Sequence, residues 1–437
     1  MDFLTHIKDI LNEYYEPFIN SLNDEAYSGL YLNDNKFIEL SDKSIFTDLE
    51  RHHIIENNFI FKKSINQLGK HPFFDLGLYY IQEPSAMLVS YLLNPKPNER
   101  IIDLCAAPGG KSCYTALNCN FLLSNDYSNS RANILSENIE RMGIENTIVT
   151  SNDVKYLSDN LCGQFDKVIL DAPCSGEGMF RKSEEVYKDW SLEKVESLSS
   201  LQKELILQAY KLLKKDGIMA YSTCTYEIKE NEEVINYLLE NTNATLINIF
   251  ECPNFIRGFG IKEAIRLIPP FNKGEGHFIC LIKCNDEHKT NKLSLKLNFI
   301  TNKDYNIYRQ FEKEYLNIKF DKNRIVNNNS HLHYLPENYI MCSGLNIKRL
   351  GLDLGEIKKD RFVPSHALIR YLDKNQFKNT IELNDNEIIS YLKGNTIDVN
   401  SSKNGFYMVT YKNIPAGLGK ISNGQLKNHY PKGLRRN

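Results

Sequence analysis

Two cysteines of this sequence stand in surroundings that packing does not explain. Cys174 lies in "VILDAPCSGEGMFRK" and Cys224 in "AYSTCTYEIKENEEV", each just past an apolar run and inside a polar, turn-forming loop. A buried cysteine is ordinarily a small hydrophobe, and that account suffices for Cys113, Cys119, Cys162, Cys252, Cys280, Cys284 and Cys342. A thiol in a polar loop is instead placed to attack as its thiolate. Other uses of cysteine fit poorly. The ten cysteines are scattered over 437 residues, not gathered in a small disulfide framework, and no C-x-x-C spacing occurs. His52-His53 and the His331/His333 pair have no nearby cysteine pair to complete a zinc site. They read as surface histidines, and no metal is expected.

"RIIDLCAAPGGKS" reads as an apolar strand, a glycine turn and the start of a helix. In a doubly wound sheet, ligands bind beyond the carboxyl ends of the strands, where glycine lets backbone come close. A P-loop would need glycine where Cys105 stands, so the Walker spacing fails. An adenosyl site fits better. Asp126 ends the next apolar run, about where a carboxylate reaches a ribose hydroxyl, and Asp153 ends the one after, placed to accept from an adenine amino group. Asp171 closes a third run. An adenosyl sulfonium delivers a methyl cation, so the acceptor must be electron-rich. Carbon 5 of a pyrimidine becomes so only when something adds at carbon 6. A Cys224 thiolate can add there. Asp171 near ring nitrogen 3 can stabilise the developing charge. Cys174, at the neighbouring strand end, can help release once carbon 5 loses its proton.

These residues need a scaffold that brings several strand ends to one edge. Apolar runs "RIIDLCAA", "NFLLSND", "NTIVTSND", "DKVILDAP" and "GIMAYSTC" alternate with segments of helical length, the pattern of βαβ units and a mostly parallel sheet. "ATLINIF" and "HFICLIK" can close that sheet near residue 284. The expected organisation is a small α+β lead domain over 1–70, a doubly wound α/β domain over 71–284, a connecting unit over 290–345 and a β-rich unit over 346–437. "CNDEHKTNKLS" reads as the linker.

Composition is that of a soluble globular chain with net charge −2, which excludes a wholly basic nucleic-acid coat but not a local basic surface. The last 25 residues carry Lys420, Lys427, Lys432, Arg435 and Arg436 and no acid, interleaved with Pro, Gly, Tyr and His. Charged residues near the start argue against a secretory signal. The longest apolar run, "AMLVSYLL", is less than half a membrane span. A cytoplasmic protein without membrane contact is expected.

"DLCAAPGGKS", "LDAPCSGEGMFRK", "YSTCTYEIKENEEV" and "IPPFNKGEGHF", in that order, resemble the signature motifs of the Sun/RsmF-type RNA (cytosine-5) methyltransferases. "GLYYIQEPSAM" and "ENIERMG" are similar to that family too. "GEIKKDRFVPSHAL" and "GKISNGQLKNHYPKGLR" resemble the PUA-like C-terminal region of its RsmF branch. The resemblance implies a Rossmann-like class I methyltransferase core using S-adenosylmethionine. It implies cofactor contacts at Cys105, Ala106, Ala107, Pro108, Gly109, Gly110 and Lys111 and at Asp126, Asp153 and Asp171. It implies Cys224 as nucleophile and Cys174 as the release cysteine. The implied partner is RNA, above all 16S rRNA or the small ribosomal subunit, met by a monomer. Cytosine-5 methylation of tRNA or another RNA is the alternative, as is a non-catalytic ribosome-assembly factor. The intact Cys174, Cys224 and Asp171 speak against the last. The sequence departs from the family at Tyr31, where arginine is usual, which puts a lead-domain RNA contact in question. "KGEGHF" (273–278) falls near the active site on this reading, and Lys111 and Lys182 are candidates to meet phosphate or substrate.

Overall fold

The computed structural model describes residues 3–40, 43–62, 67–290, 297–399 and 403–436. Asp2 and the linker stretch 291–294 lie outside the described residues. Helices Phe3–Leu11 and Tyr15–Ser21 lead into strands β1 (Tyr27–Leu32), β2 (Glu50–Arg51), β3 (Asn58–Lys62) and β4 (Tyr79–Gln82). They form an antiparallel sheet of order β2-β3-β1-β4. Leu30 pairs with Ile81. The lead sheet therefore closes only at residue 82, beyond the expected boundary at 70, because "LYYIQ" pairs backward with β1 before the next helix begins.

The central sheet is built from β5 (Arg100–Asp103), β6 (Phe121–Asn125), β7 (Thr147–Thr150), β8 (Phe165–Asp171) and β9 (Leu213–Thr223). These run parallel in the order β9-β8-β5-β6-β7. Strands β10 (Thr245–Ile247), β11 (Ile256–Gly258), β12 (Ile261–Leu267) and β13 (His277–Lys283) extend it antiparallel beyond β9. Side chains alternate along each strand, as a pleat demands. Ile101, Leu122, Val149 and Ile169 face one apolar layer with Leu88, Ala116, Leu135 and Ile139. Their neighbours Ile102, Leu123, Ile148 and Val168 face the other, with Leu157, Ile206, Ala209 and Leu238. Both faces are covered by helices, which is the doubly wound Rossmann-like architecture. The helices have local stops and starts. Ser128 caps Asn129–Met142 by accepting from the Arg131 amide, and Gly143, at φ 75°, ends it.

Beyond the linker come β14 (Ile325–Asn328), β15 (His331–Tyr334), β16 (Ile347–Leu350), β17 (Leu352–Lys358) and β18 (Arg361–Pro364). A sheet of order β14-β15-β17-β18 excludes β16, which pairs antiparallel with β7. The central sheet thus does not end with residue 284. A strand from the C-terminal half covers β7 and becomes the outermost strand on that side. The chain finishes in β19 (Thr380–Glu382), β20 (Ile397–Asp398), β21 (Gly405–Tyr411), β22 (Ile414–Ser422) and β23 (Gln425–Asn428), ordered β19-β21-β22-β23-β20.

The lead and final sheets share one apolar cluster that includes Phe73, Leu76, Tyr391, Tyr411 and Tyr430. Arg436 is ion-paired with Asp75 across that junction, so part of the basic tail is structural. Lys420, Lys427 and Lys432 remain exposed. His52 is not a surface histidine. It is buried and its Nδ1 accepts from the amides of Ile54 and Ile55, capping a turn. His333 is partly buried on β15, whereas His53 and His331 are exposed. Among the described residues no cluster of His, Cys, Asp and Glu could hold a metal ion. None of the described helices is long and apolar enough to cross a membrane.

Candidate active site

Strand order places the sequence candidates along one edge. The turn Cys105–Lys111 leaves β5, Asp126 follows β6 and Asp153 follows β7, while Asp171 ends β8 and Cys224 follows β9. The chain reverses its winding between β5 and β8, the point at which an open α/β sheet opens a crevice. Asp126 and Asp153 lie on one side of that point, Asp171 and the two cysteines on the other.

The turn is held from three directions. Gly109 has φ +115° and caps helix Gly110–Leu117, a conformation L side chains rarely adopt. A Cβ at Gly110 would fall 2.8 Å from the Gln82 side chain, so the lead sheet presses directly on the turn. Asp126 is buried, and its carboxylate accepts from the amides of Ala107 (3.2 Å) and Ser128 (3.0 Å). Arg131, 3.5 Å from Asp126, also donates to the Ala107 carbonyl. Asp153 is exposed and caps the next helix through the Lys155 amide. Asp103, not singled out in the sequence, ends β5 fully buried. Its Oδ2 accepts from Ser112 Oγ at 2.7 Å while Oδ1 has no partner, and burial pushes its carboxyl up to about 7.

Tyr31 is buried, and its hydroxyl donates to the Gly110 carbonyl at 2.9 Å. Its ring stacks on Tyr80 and meets Tyr114 edge-on. The residue that replaces the family's arginine faces the turn, not a solvent-exposed RNA path.

Lys111 bridges the two halves of the edge. Its Nζ lies 2.7 Å from Asp171 Oδ2 and the residue is buried, so Lys111 does not cover the surface. Ser222 Oγ donates to Asp171 Oδ1 at 2.7 Å. Burial works to raise the Asp171 carboxyl, but Lys111 and His277 outweigh it and hold it well below the usual range. Lys182 is half-buried and 3.9 Å from Glu275.

The sulfurs of Cys174 and Cys224 are 3.3 Å apart, both free thiols, and the Cys224 amide points at Cys174 Sγ, also at 3.3 Å. The hydrogen bond to Cys224 and then burial push the Cys174 thiol well up. Either sulfur can donate to the other across that contact.

Two buried carboxylates hold the cysteine loops to one another. Glu177, from the Cys174 loop, accepts from the Tyr226 amide (3.0 Å) and from Trp190 Nε1 (2.8 Å). Glu230, from beyond the Cys224 loop, accepts from the Ser175 amide (3.0 Å) and Gln202 (2.7 Å). Ser175 and Thr225 hydroxyls meet at 2.7 Å, and the Gly178 amide donates to the Cys224 carbonyl. Burial raises the Glu177 carboxyl to about 8 and that of Glu230 to about 7. Both acids stand inside the motifs that carry the two cysteines, with no local signal that marks either as buried.

Family models match almost the whole chain: 16S rRNA methyltransferase RsmB/F over 90–283, the N-terminal domain of 16S rRNA methyltransferase RsmF over 1–84, the RsmF first C-terminal domain over 310–372 and the RsmF PUA domain over 378–436. The chain is 32% identical to ribosomal RNA small subunit methyltransferase F of Shewanella woodyi, covering 82% of this chain and 79% of the relative. It is 32% identical to the protein of that name from Vibrio campbellii, covering 82% and 80%. Among solved structures it is similar to a methyltransferase homolog protein from Pyrococcus horikoshii, with TM-score 0.55 and 26% identity over 63% of this chain and 92% of that one. The fold is also that of NSun6 from Pyrococcus horikoshii with SFG, at TM-score 0.58 and 20% identity over 65% and 98%.

Proposed function

The chain belongs to the RsmB/F family of S-adenosylmethionine-dependent 16S rRNA methyltransferases, and from that premise we propose that it methylates carbon 5 of a cytosine in 16S rRNA through a covalent bond from Cys224. The observation that carries this reading is the pair of thiols 3.3 Å apart beside the Lys111–Asp171 ion pair.

Cys105 to Lys111, with Asp126 and Asp153, are the residues we assign to the cofactor. The unpartnered Oδ1 of Asp103 beneath the turn and the carboxylates closing β6 and β7 fit a ligand rich in donors. When bound, S-adenosylmethionine supplies an electrophilic methyl group. The protein's own contribution is to make carbon 5 accept it. Cys224 adds to carbon 6, and the electron pair displaced onto nitrogen 3 takes up a proton from solvent. Asp171, kept ionised by Lys111, accepts a hydrogen bond from the ring's exocyclic amino group. The Cys174 thiol steadies the Cys224 thiolate before attack and assists the elimination that frees the methylated base. The PUA domain and its exposed lysines are the proposed RNA-holding surface.

The test is transfer of labelled methyl groups to 16S rRNA, as naked transcript and as small subunit, followed by bisulfite mapping. Label recovered only in tRNA, or at a site other than cytosine carbon 5, would reject the proposal.

A further inference from the structure

The Cys174 and Cys224 sulfurs stand 3.3 Å apart as free thiols, and neither residue is fully buried. Their proximity is built into the backbone. Asp171 and Ser222 pair in register at the ends of β8 and β9, and the Ala172 amide donates to the Ser222 carbonyl at 2.8 Å. Beyond the sulfurs, the Ser175 and Thr225 hydroxyls meet and the Gly178 amide reaches the Cys224 carbonyl. Glu177 and Glu230 each hold the opposite loop through a main-chain amide. The two thiols therefore face one another without a covalent link to keep them there. Cys105, Cys162 and Cys252 are half-buried too, but among the described residues none of them contacts another sulfur.

A thiolate with access to solvent is the group that peroxide oxidises, first to a sulfenic acid. A sulfenic acid left alone goes on to a sulfinic acid, which thiol reductants do not reverse. A second thiol alongside diverts it into a disulfide, and a neighbour already held in place does so as an intramolecular step. A disulfide needs its sulfurs about 2.05 Å apart, so this pair has roughly 1.2 Å to close, a distance within reach of side-chain torsion.

We propose that Cys174 and Cys224 form an oxidation site for hydrogen peroxide, whose product is a reversible disulfide that silences the enzyme and shields its nucleophile. The silencing rests on the cytosine-5 reading above; the bond itself does not. One thiolate attacks peroxide: an S–O bond forms, the O–O bond breaks, and hydroxide leaves to take up the proton that thiol released. The second thiol attacks the sulfenic sulfur: the S–S bond forms, the S–O bond breaks, and the hydroxyl departs with the thiol proton as water. The two thiols lose two electrons and one peroxide becomes two waters. Joined to Cys174, the Cys224 sulfur cannot add to carbon 6. Asp126 and Asp153 lie across the winding reversal from the cysteines, so cofactor binding survives.

The experiment treats the reduced full-length protein with a modest excess of hydrogen peroxide, then alkylates and digests it for mass spectrometry. The expected product is a chain lighter by two hydrogens, with the Cys174 and Cys224 peptides joined. Methylation of 16S rRNA should fall in proportion to the joined fraction and return with dithiothreitol, while affinity for S-adenosylmethionine is unchanged. In Cys174→Ser and Cys224→Ser the joined peptide should be lost, and the remaining thiol should advance to a sulfinic acid that dithiothreitol leaves in place. Sulfinic acid at Cys224 in the wild type without a joined peptide overturns the proposal, as does joining through Cys105, Cys162 or Cys252. Joined protein that still methylates at the untreated rate overturns the silencing. A wild type that never methylates cytosine would instead defeat the underlying function, and the peptide map would still decide whether the oxidation site exists.

Discussion

The Tyr31 hydroxyl reaches the Gly110 carbonyl at 2.9 Å, joining the lead sheet to the glycine turn of the catalytic sheet. With Gln82 against Gly110, this makes the lead domain part of the cofactor turn's support, not a separate attachment. Tyr31→Phe removes one buried hydrogen bond and should cost about 1 kcal/mol of stability. Cofactor affinity should weaken alongside. Urea unfolding with and without S-adenosylmethionine checks both, and an unchanged midpoint in each would show that the tether carries no load.

The two cysteines separate by role. Cys174→Ala should form the bond to RNA and stall before elimination, leaving a protein–RNA complex stable to denaturing electrophoresis. Cys224→Ala and the double variant should show none, because both lack the thiolate assigned to attack. RNA trapped by Cys224→Ala would reverse the assignment.

Lys111→Met leaves Asp171 partly buried without its cation. Asp171, now depressed, stabilises the fold above the ordinary carboxylate pKa, and that stability is lost as pH falls through its folded value. The variant should therefore be less stable at neutral pH by roughly 3 kcal/mol, the low end for breaking a buried pair. It should also lose most of its methylation rate. Unfolding curves at neutral and acid pH test this, and the deficit should shrink in acid. A deficit that persists there would point to lost packing instead.

Glu177 gives the opposite sign. Its folded value is raised to about 8 from 4.5, so between those pH values the folded state holds a proton that the unfolded chain has released. Stability should decline across that window by about 1.4 kcal/mol per pH unit for this one group. Glu230, raised to about 7, adds to the decline. Glu177→Gln should flatten the slope by that amount, and an unaltered slope would mean Glu177 is ionised in place.

Ending the chain at Leu345 removes β16 and uncovers the edge of β7. That truncation should aggregate, whereas the full chain should not, because an unpaired edge recruits other chains. Light scattering distinguishes them. A monodisperse truncated protein would mean β7 needs no cover.

The sheet's strand ends were legible because their signals are local. Apolar runs, a glycine turn and an acid or cysteine closing the runs define the edge without knowledge of the fold. What escaped depends on distance along the chain or on burial. β16 is one short segment among many in an irregular region, and nothing in "NIKRL" says that its partner is β7. Glu177, Glu230 and His277 are ordinary polar residues until burial makes them otherwise. His52 and Arg436 escaped for the same reason: an exposed and an inward-facing side chain share one letter.

The pairing of β16 with β7 also sets an order of events in time. The amino acids of β7 leave the ribosome long before those of β16, by roughly 10 s or more at ordinary elongation rates. Throughout that interval the outer row of backbone amides and carbonyls on β7 lacks its final neighbour. Completion of the catalytic half therefore waits on synthesis of the C-terminal half, and a chain stalled between them is the species a chaperone would meet.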